Sequence, residues 1–244
     1  MIAIVAAMPQ ELAAILAAAH AEGEVHTEMV AGRQLRRATL AGRDVVLALS
    51  GVGKAAAAAT AALLAERAEA MIMVGTAGGL GATVNPGDVV VATELLQHDF
   101  DARPLWDRWV SPSIGLARVP ADPALAEALF AAAELVCAQH RPDLAALGLG
   151  VPQVHRGLVI SGDVFVATAE ASAKLQAELP EALAVEMEGA ALAQTCYTAG
   201  VPFAVARTVS DRADHDAALD FPKFLDGVAA PYAHDLVLAA LAQL

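Results

Sequence analysis

Val185-Glu186-Met187-Glu188-Gly189-Ala190-Ala191 is the stretch of sequence that decides the fold. Before it, Ala182–Glu186 has the short apolar pattern of a buried strand, and after it, Gly189–Ala199 has the alanine-rich pattern of a helix. Charged side chains at such a buried junction are costly unless something pairs with them. A sugar diol can do so, because each hydroxyl donates a hydrogen bond to a carboxylate oxygen. The junction therefore indicates a strand-to-helix unit that carries a ribose-binding site.

The same alternation of short apolar runs and helical patterns extends along the whole chain. Predicted strands are Ile2–Ala7, antiparallel pieces within Val25–Leu49, Met71–Val74, Asp88–Glu94, Val154–Ser161, Ala182–Glu186 and Pro202–Val209; predicted helices are Gln10–His20, Lys54–Ala68, Pro123–Ala138, Thr168–Leu179, Gly189–Ala199 and Phe221–Leu244. This alternation favours an α/β fold with a mostly parallel sheet that is covered on both faces. No repeat or low-complexity linker divides the chain, so residues 1–244 are expected to form one domain.

The composition of the 244-residue chain excludes several classes of partner. Its net charge of −13 repels the phosphates of nucleic acids and anionic lipid headgroups. Hydrophobic residues make up 57% of the chain, but the most apolar stretches stop short of the ~20 uninterrupted residues that a membrane span needs. The apolar start lacks the basic region and cleavage site of a signal peptide, and Cys137 and Cys196 form no disulfide framework or zinc motif. We therefore expect a soluble cytoplasmic protein without nucleic-acid or membrane partners.

Polar or glycine residues follow six of the predicted strands. These strand ends are Met8-Pro9-Gln10-Glu11, Ser50-Gly51-Val52-Gly53, Gly75-Thr76-Ala77-Gly78-Gly79, Ser161-Gly162-Asp163-Val164-Phe165, Glu186-Met187-Glu188 and Arg207-Thr208-Val209-Ser210-Asp211. In open α/β sheets, ligands bind beyond the carboxyl ends of the strands. The six strand ends therefore predict one site.

Each strand end also has a simpler interpretation when it is taken alone. Glu11 and Glu188 are also explained as acids that complement the positive amino end of a helix. Asp211 is also explained as a helix N-cap or a turn residue, and Gly78-Gly79 as a tight turn. Only their joint occurrence favours catalysis.

Two motifs suggest cofactors but do not fit them. Ser50-Gly51-Val52-Gly53-Lys54 resembles the end of a phosphate-binding loop, but Ala48 and Ala55 occupy positions where that loop needs glycine and serine or threonine. Asp211-x-x-Asp214-His215-Asp216 contains metal-ligating residue types, but it lacks regular helical ligand spacing and an accompanying cysteine. No metal or cofactor is expected.

In their order and separations, the strand-end motifs resemble those of the 5′-methylthioadenosine/S-adenosylhomocysteine nucleosidases, within the nucleoside phosphorylase superfamily. The matching stretches run from Ala7-Met8-Pro9-Gln10-Glu11 to Ser210-Asp211 and cover nearly the whole chain. The resemblance implies a three-layer α/β/α fold with a central mixed sheet. It also implies a homodimer that hydrolyses the N-glycosidic bond of adenine nucleosides and takes part in methionine salvage.

The resemblance also assigns roles to residues of this chain. Glu11 matches the residue that activates the attacking water, and Asp211 matches the acid that protonates adenine at N7. Met187 and Glu188 match ribose-binding positions, Phe165 and Val166 match purine contacts, and Met8, Val52 and Phe221 match the wall around the ribose and alkylthio group. The remaining substrate-binding candidates are Thr76, where the family often has serine, and Ala77, Gly78, Glu186, Arg207 and Ser210.

The chemistry explains why two acids are needed. Adenine leaves readily only when a proton reaches N7, and a carboxyl group donates it well when its surroundings raise its pKa or align it. As the bond lengthens, the sugar becomes oxocarbenium-like, and a carboxylate on the opposite face can orient water toward it. Glu188 can hold the diol and stabilise the positive charge nearby.

Two other functions remain open on the same scaffold. A purine nucleoside phosphorylase would need cationic side chains for phosphate, whereas Gly75–Gly81 is neutral and Arg207 is placed where it can instead brace Glu186 or Glu188. A non-catalytic nucleoside-binding protein is the third possibility, because fold alone does not define function.

The segment Phe100–Ala121 is long for a loop in one domain and contains both tryptophans, Trp106 and Trp109. The tryptophans suit a subunit interface, a lid or core packing equally well. We expect this segment to form the 5′ side of the site. The sequence therefore leaves open the choice among methylthioadenosine, S-adenosylhomocysteine, 5′-deoxyadenosine and aminodeoxyfutalosine.

Overall fold

The structure is a computed structural model that describes residues 1–139, 141–214 and 217–244. The strands are β1 (Ile2–Ala6), β2 (His26–Val30), β3 (Arg33–Leu40), β4 (Arg43–Leu49), β5 (Ala70–Gly79), β6 (Val89–Gln97), β7 (Arg118–Pro120), β8 (Val154–Ser161), β9 (Ala182–Glu186) and β10 (Phe203–Asp211). The helices are α1 (Pro9–Glu22), α2 (Lys54–Ala65), α3 (Pro123–Cys137), α4 (Pro142–Ala146), α5 (Ala169–Glu178), α6 (Gly189–Ala199), α7 (Ala217–Phe224) and α8 (Ala230–Gln243), with a π-helical turn at Leu225–Ala229 between the last two.

The central sheet is mixed and closes on itself. Its strand order is β10-β6-β8-β9-β5-β1-β4-β3-β2, and β10 also pairs with β5, so that five of the strands form a ring. Strands β1, β4, β5 and β10 run in one direction, and β6, β8 and β9 run in the other. The expectation of a mostly parallel sheet was therefore wrong, whereas the mixed sheet implied by the resemblance is confirmed. Antiparallel pairs join the two parallel sets, and the carboxyl ends of β5 and β9 meet at Gly78–Val185.

Helices cover both faces of this sheet. Alternate residues of a strand point to opposite faces, so Ile4 of β1 packs into a core with α1, α3 and α8, whereas Val5 packs into a second core with α2 and α6. A smaller cluster lies under α5. The result is an α/β/α arrangement in which the apolar strands are buried on both sides.

Local sequence signals account for several helix ends. Asp122 caps α3, because its Oδ1 accepts hydrogen bonds from the backbone amides of Ala124 (3.0 Å) and Leu125 (2.9 Å). Thr168 caps α5 in the same way. Cys137 and Cys196 are buried free thiols, as expected.

Several elements differ from their prediction. Strand β5 runs five residues beyond the predicted Met71–Val74 and includes Gly75–Gly79. The predicted helix Phe221–Leu244 is divided by the π-helical turn; Pro222, which lacks an amide hydrogen, lies inside α7. The Phe100–Ala121 segment contains β7, and Trp109 anchors it by donating from Nε1 to the carbonyl of His98 (2.9 Å).

The segment Phe221–Gln243 is long and apolar enough to cross a membrane by length and composition alone. It is 59% buried in the structure, and α8 packs against α1 and α3. Core helices of globular proteins pass the same test, so this segment is weak support for a membrane span.

Candidate active site

A cavity of about 370 Å³ lies where the carboxyl ends of β1, β5, β9 and β10 converge. This volume is within the usual range for small-molecule sites. Its lining consists of Ala7, Met8, Glu11, Val52, Thr76, Ala77, Gly78, Val164, Phe165, Val166, Val185, Glu186, Met187, Glu188, Ser210, Asp211 and Phe221. Every candidate site residue from the sequence lines this cavity except Arg207, which is fully buried.

Glu11 is held at one side of the cavity, in the first turn of α1. Its Oε2 accepts hydrogen bonds from the amides of Ala7 (3.1 Å) and Met8 (3.0 Å), and its Oε1 accepts them from the amide (2.9 Å) and hydroxyl (3.0 Å) of Thr76. The bond from Met8 also serves the end of the helix, so the simpler interpretation of Glu11 holds in part. Four donors fix the orientation of a carboxylate that is only 2% exposed.

Asp211 ends β10 and also lines the cavity, at a register shift between Val209 and Asp211. Such bulges commonly redirect a side chain beside a functional site. Its Oδ2 accepts from the hydroxyl of Ser210 (2.7 Å), and its Oδ1 accepts from the amide of Ala213 (2.8 Å). This local bond agrees with a turn role, whereas α7 begins only at Ala217, so Asp211 is not its N-cap.

Gly78 makes room for this arrangement. A Cβ atom at this position would lie 3.1 Å from Oδ1 of Asp211 and 2.9 Å from Cβ of Ala213. Gly78 lies within β5 and pairs with Asp211 and with Val185, so the interpretation of Gly78-Gly79 as a tight turn is wrong. The glycine is needed for close approach of the acid.

Glu186, Glu188 and Arg207 form a buried charged cluster beside the cavity. Glu186 accepts hydrogen bonds from the amides of Glu188 (3.1 Å) and Gly189 (2.8 Å), from the hydroxyl of Ser161 and from the guanidinium of Arg207. Arg207 also lies 3.4 Å from Oε2 of Glu188. Arg207 thus forms ion pairs with both Glu186 and Glu188.

The carboxyl group of Glu188 has a shifted pKa. Its burial and the neighbouring charge of Glu186 raise the pKa of Glu188 to about 7. Arg207 and the amide of Gly53, which donates to its Oε1 at 2.9 Å, act in the opposite direction. The carboxyl group can therefore change its charge near neutral pH when a ligand enters.

Apolar side chains form the rest of the wall. The rings of Phe165 and Phe221 meet edge to face, with their centroids 5.6 Å apart. Val52, Val164 and Phe165 are about half exposed, so the cavity opens to solvent beside these side chains. Aromatic side chains of this kind can stack on the flat ring of a ligand.

The charged residues that line the cavity, among those described, are the acids Glu11, Glu186, Glu188 and Asp211. No group of three or more histidine, cysteine, aspartate or glutamate side chains suited to a metal ion occurs in residues 1–139, 141–214 and 217–244. His215 and Asp216 of the rejected metal motif lie outside the described residues.

The sequence analysis missed Ala7, Val164 and Val185 as lining residues and Gly53 as a partner of Glu188. Each of them stands in or beside a strand-end motif. Treating the residues next to each predicted contact as candidates would have found the three lining positions. Nothing local in the sequence indicates that Gly53 reaches a residue 135 positions away.

Comparisons with known proteins identify the family of the chain. A family model described as the phosphorylase superfamily matches residues 1–242. The 5′-methylthioadenosine/S-adenosylhomocysteine nucleosidase of Shewanella baltica strain OS155 is 37% identical over 227 residues, which cover 92% of this chain and 89% of that protein.

Two of the solved structures that match are covered over nearly their whole length. The corresponding nucleosidase from Neisseria meningitidis, in complex with methylthio-immucillin-A, has 35% identity and a TM-score of 0.86, covering 100% of this chain and 99% of that one. That from Colwellia psychrerythraea 34H, in complex with adenine, has 32% identity and a TM-score of 0.88, covering 100% and 95%. The fold implied by the resemblance is confirmed, and the chain belongs to the phosphorylase superfamily and, within it, to the 5′-methylthioadenosine/S-adenosylhomocysteine nucleosidases, a family of N-glycosyl hydrolases.

Proposed function

We propose that this protein hydrolyses the N-glycosidic bond of 5′-alkylthio adenine nucleosides, methylthioadenosine and S-adenosylhomocysteine, and releases adenine. The observation that carries the proposal is that Glu11, Glu188 and Asp211 line one cavity of nucleoside size, although they are far apart in sequence. A binding protein has no need of three buried acids around one ligand, since burial of each carboxylate is costly.

Asp211 is the general acid in this proposal. Its proton passes to N7 of adenine while the bond between C1′ and N9 breaks, and the bonding electrons stay with adenine, which leaves neutral. The hydrogen bonds from Ser210 and Ala213 support this role, because they fix the carboxyl group in the wall of the cavity.

Glu11 orients the water and accepts its proton as the oxygen attacks C1′ from the face opposite adenine. The products are adenine and the 5′-alkylthioribose. Thr76 and two backbone amides support this role by holding the carboxylate of Glu11 in place. A carboxylate on that face also stabilises the oxocarbenium character of the sugar.

The remaining residues bind the nucleoside. Glu188 accepts hydrogen bonds from the 2′- and 3′-hydroxyls beside Met187, and Phe165 stacks on the purine while the backbone of Val166 bonds to its edge. Met8, Val52 and Phe221 surround the ribose and the alkylthio group. The edge-to-face contact of Phe165 with Phe221 supports this placement, because it joins the base side to the sugar side of one wall.

Phosphorolysis is disfavoured by charge. Phosphate would meet four acids in the described lining, and the guanidinium of Arg207 is already engaged by Glu186 and Glu188. A carboxylate in place of a cation repels the anion. Water is therefore the proposed nucleophile, without a cofactor.

The deciding experiment is adenine release from methylthioadenosine and S-adenosylhomocysteine, with and without inorganic phosphate. Release at the same rate in both conditions supports hydrolysis. Release only with phosphate would replace the proposal by a phosphorylase, and no release by the folded protein would replace it by a nucleoside-binding protein. Specificity constants for a panel that adds 5′-deoxyadenosine and aminodeoxyfutalosine would define the preferred 5′ group.

We further propose that the protein works in the cytoplasm as a homodimer, in methionine salvage. The half-exposed Trp106 and the more exposed Leu105, both in the Phe100–Ala121 segment, support an interface there. Sedimentation analysis of the purified protein tests the dimer, and a monomer at micromolar concentration would contradict it.

A further inference from the structure

We propose that Lys54, Asp99 and Asp163 form a positioning brace that aims the amino end of α2 at Glu188 and fixes its carboxylate for the ribose diol. The inference rests on the proposed role of Glu188 as the ribose ligand. It gives a role to two strand-end motifs, Ser50–Lys54 and Ser161–Phe165, whose charged residues take no part in the bond-breaking steps.

Two consecutive amides at the start of α2 donate to carboxylates. The amide of Gly53 donates to Oε1 of Glu188 at 2.9 Å, and the amide of Lys54 donates to Oδ1 of Asp163 at 2.8 Å. The first amides of a helix lack partners within the helix and carry its positive end. The direction of α2 therefore decides how well this positive end meets Glu188.

Asp99, which follows β6, contacts both Lys54 and Asp163. Its Oδ1 accepts from Nζ of Lys54 at 2.5 Å, and its Oδ2 accepts from the amide of Asp163 at 2.9 Å. The side chains of Lys54 and Asp99 are only 17% and 27% exposed. Water and salt therefore screen this ion pair less than a pair on an open surface.

The loop before α2 needs such a support. Gly53 has φ +97°, a conformation that favours glycine, and a Cβ there would lie 3.1 Å from Oδ1 of Asp163. Val52, the preceding residue, is 54% exposed, so core packing contributes little to the position of the loop. Side-chain hydrogen bonds from the neighbouring strand ends hold it instead.

The pKa of Glu188 depends on the position of the Gly53 amide. Glu188 is faced by Glu186 from β9, Arg207 from β10 and Glu11 from α1, besides the amide of Gly53. Burial and the two acids raise the pKa of Glu188, whereas Arg207 and the Gly53 amide lower it. Moving that amide away would protonate Glu188 at a higher pH and weaken its hold on the diol.

Two further groups titrate near the brace itself. His98 precedes Asp99 and is buried, and Glu178 lies close enough to influence it. Burial is the largest influence on His98 and lowers its pKa, whereas the charges of Asp99, Glu186 and Glu178 act in the opposite direction.

The test compares Lys54→Met and Asp99→Asn with the wild-type protein, using methylthioadenosine between pH 5 and pH 9. Loss of one charge-assisted contact predicts a KM raised by about tenfold at pH 7 and a much smaller change in kcat. On the acidic side of the pH profile, the pH at which KM begins to rise should be higher by roughly half a pH unit or more. The affinity for free adenine, measured by calorimetry, should stay the same, and Lys54→Arg should restore most of the KM.

A matched control is Glu127→Gln, which removes the ion pair with Arg156 at the start of β8, where both side chains are exposed. It should leave KM unchanged. The brace is overturned if Lys54→Met and Asp99→Asn keep the wild-type KM and its pH dependence. It is also overturned if their activity falls equally at every pH in step with a lower Tm, which is the mark of a merely structural role. Wild-type protein that releases no adenine overturns the proposed function and the brace together, whereas active wild type with unchanged variants overturns the brace alone.

Discussion

Two buried polar clusters lie near the end of β10, and they handle charge differently. In the first, the cavity cluster, Glu11, Glu186, Glu188 and Asp211 share a single buried cation, Arg207, among the described residues. Acids outnumber cations there, and all four acids line the cavity, where a ligand can reach them.

The second, the Asp88 cluster, consists of Asp88, Arg141, Asp143, His155 and Asp235. Asp88 accepts from two backbone amides, at 2.8 and 2.9 Å, and from His155 at 2.9 Å. Arg141 bridges Asp143 (2.7 Å) and Asp235 (2.6 Å). Here each acid has a donor from within the fold.

The two clusters are neighbours, since the amide of Val209 donates to the carbonyl of Asp88 at 2.8 Å, two residues before Asp211. Their difference therefore lies in what the acids face. An acid that contacts only groups of the fold stabilises it, whereas a buried acid that also lines a cavity is kept at a cost in stability for binding and catalysis.

The largest expected effect is that of Asp211→Asn, which removes the proton donor but keeps the shape of the side chain. Loss of a general acid predicts a fall in kcat/KM of ~10²–10⁴-fold, with a Tm close to that of the wild type. Adenine release and thermal unfolding, measured on the same preparation, check this. Near-normal turnover would contradict the assigned acid role.

Glu11→Gln comes next. It removes the base that orients water, and we expect a loss of activity of ~10²-fold or more. The NH2 group of glutamine also faces two of the four donors that now contact the carboxylate, so stability should fall by about 1 kcal/mol. If refolded variant protein lost activity only in proportion to its folded fraction, the role of Glu11 would be structural and not catalytic.

Asp88→Asn makes the same chemical change as Asp211→Asn, but in the Asp88 cluster. One of its amide hydrogens must face a donor, so the free energy of unfolding should fall by about 2 kcal/mol, or roughly 4–8 °C in Tm. Adenine release per folded molecule should not change. A selective loss of kcat at an unaltered Tm would erase the distinction between the clusters.

The sequence allowed the strand ends to be identified but not the way they meet. Apolar runs ending in polar residues are local signals, and they led to Glu11, Glu188 and Asp211. Strand direction depends on connections and closure of the whole sheet, which is why two opposed sets of strands were mistaken for a mostly parallel one. The glycines of Gly75–Gly79 were taken as a break in the strand, whereas the close approach of Asp211 to Gly78 explains one of them inside it. Long-range packing sets such positions, and no local pattern encodes it.

The smallest expected effect is a change in the pH dependence of stability in Glu188→Gln. In the unfolded chain Glu188 ionises near its ordinary pKa of 4.5, but in the folded protein only near pH 7, because it is buried beside Glu186. Between these values the folded state binds more protons, so its stability falls as the pH rises. The glutamine variant lacks this loss, so it should be more stable than the wild type at pH 8, with little difference at pH 4. Glu127→Gln, on the exposed surface, is the control and should show no such pH-dependent gain. The gain in stability should accompany a loss of nucleoside binding. Denaturant unfolding at both pH values therefore tests whether the cavity cluster lowers the stability of the fold in order to bind its ligand. A variant that is less stable than the wild type at pH 8 would show instead that Glu188 stabilises the fold.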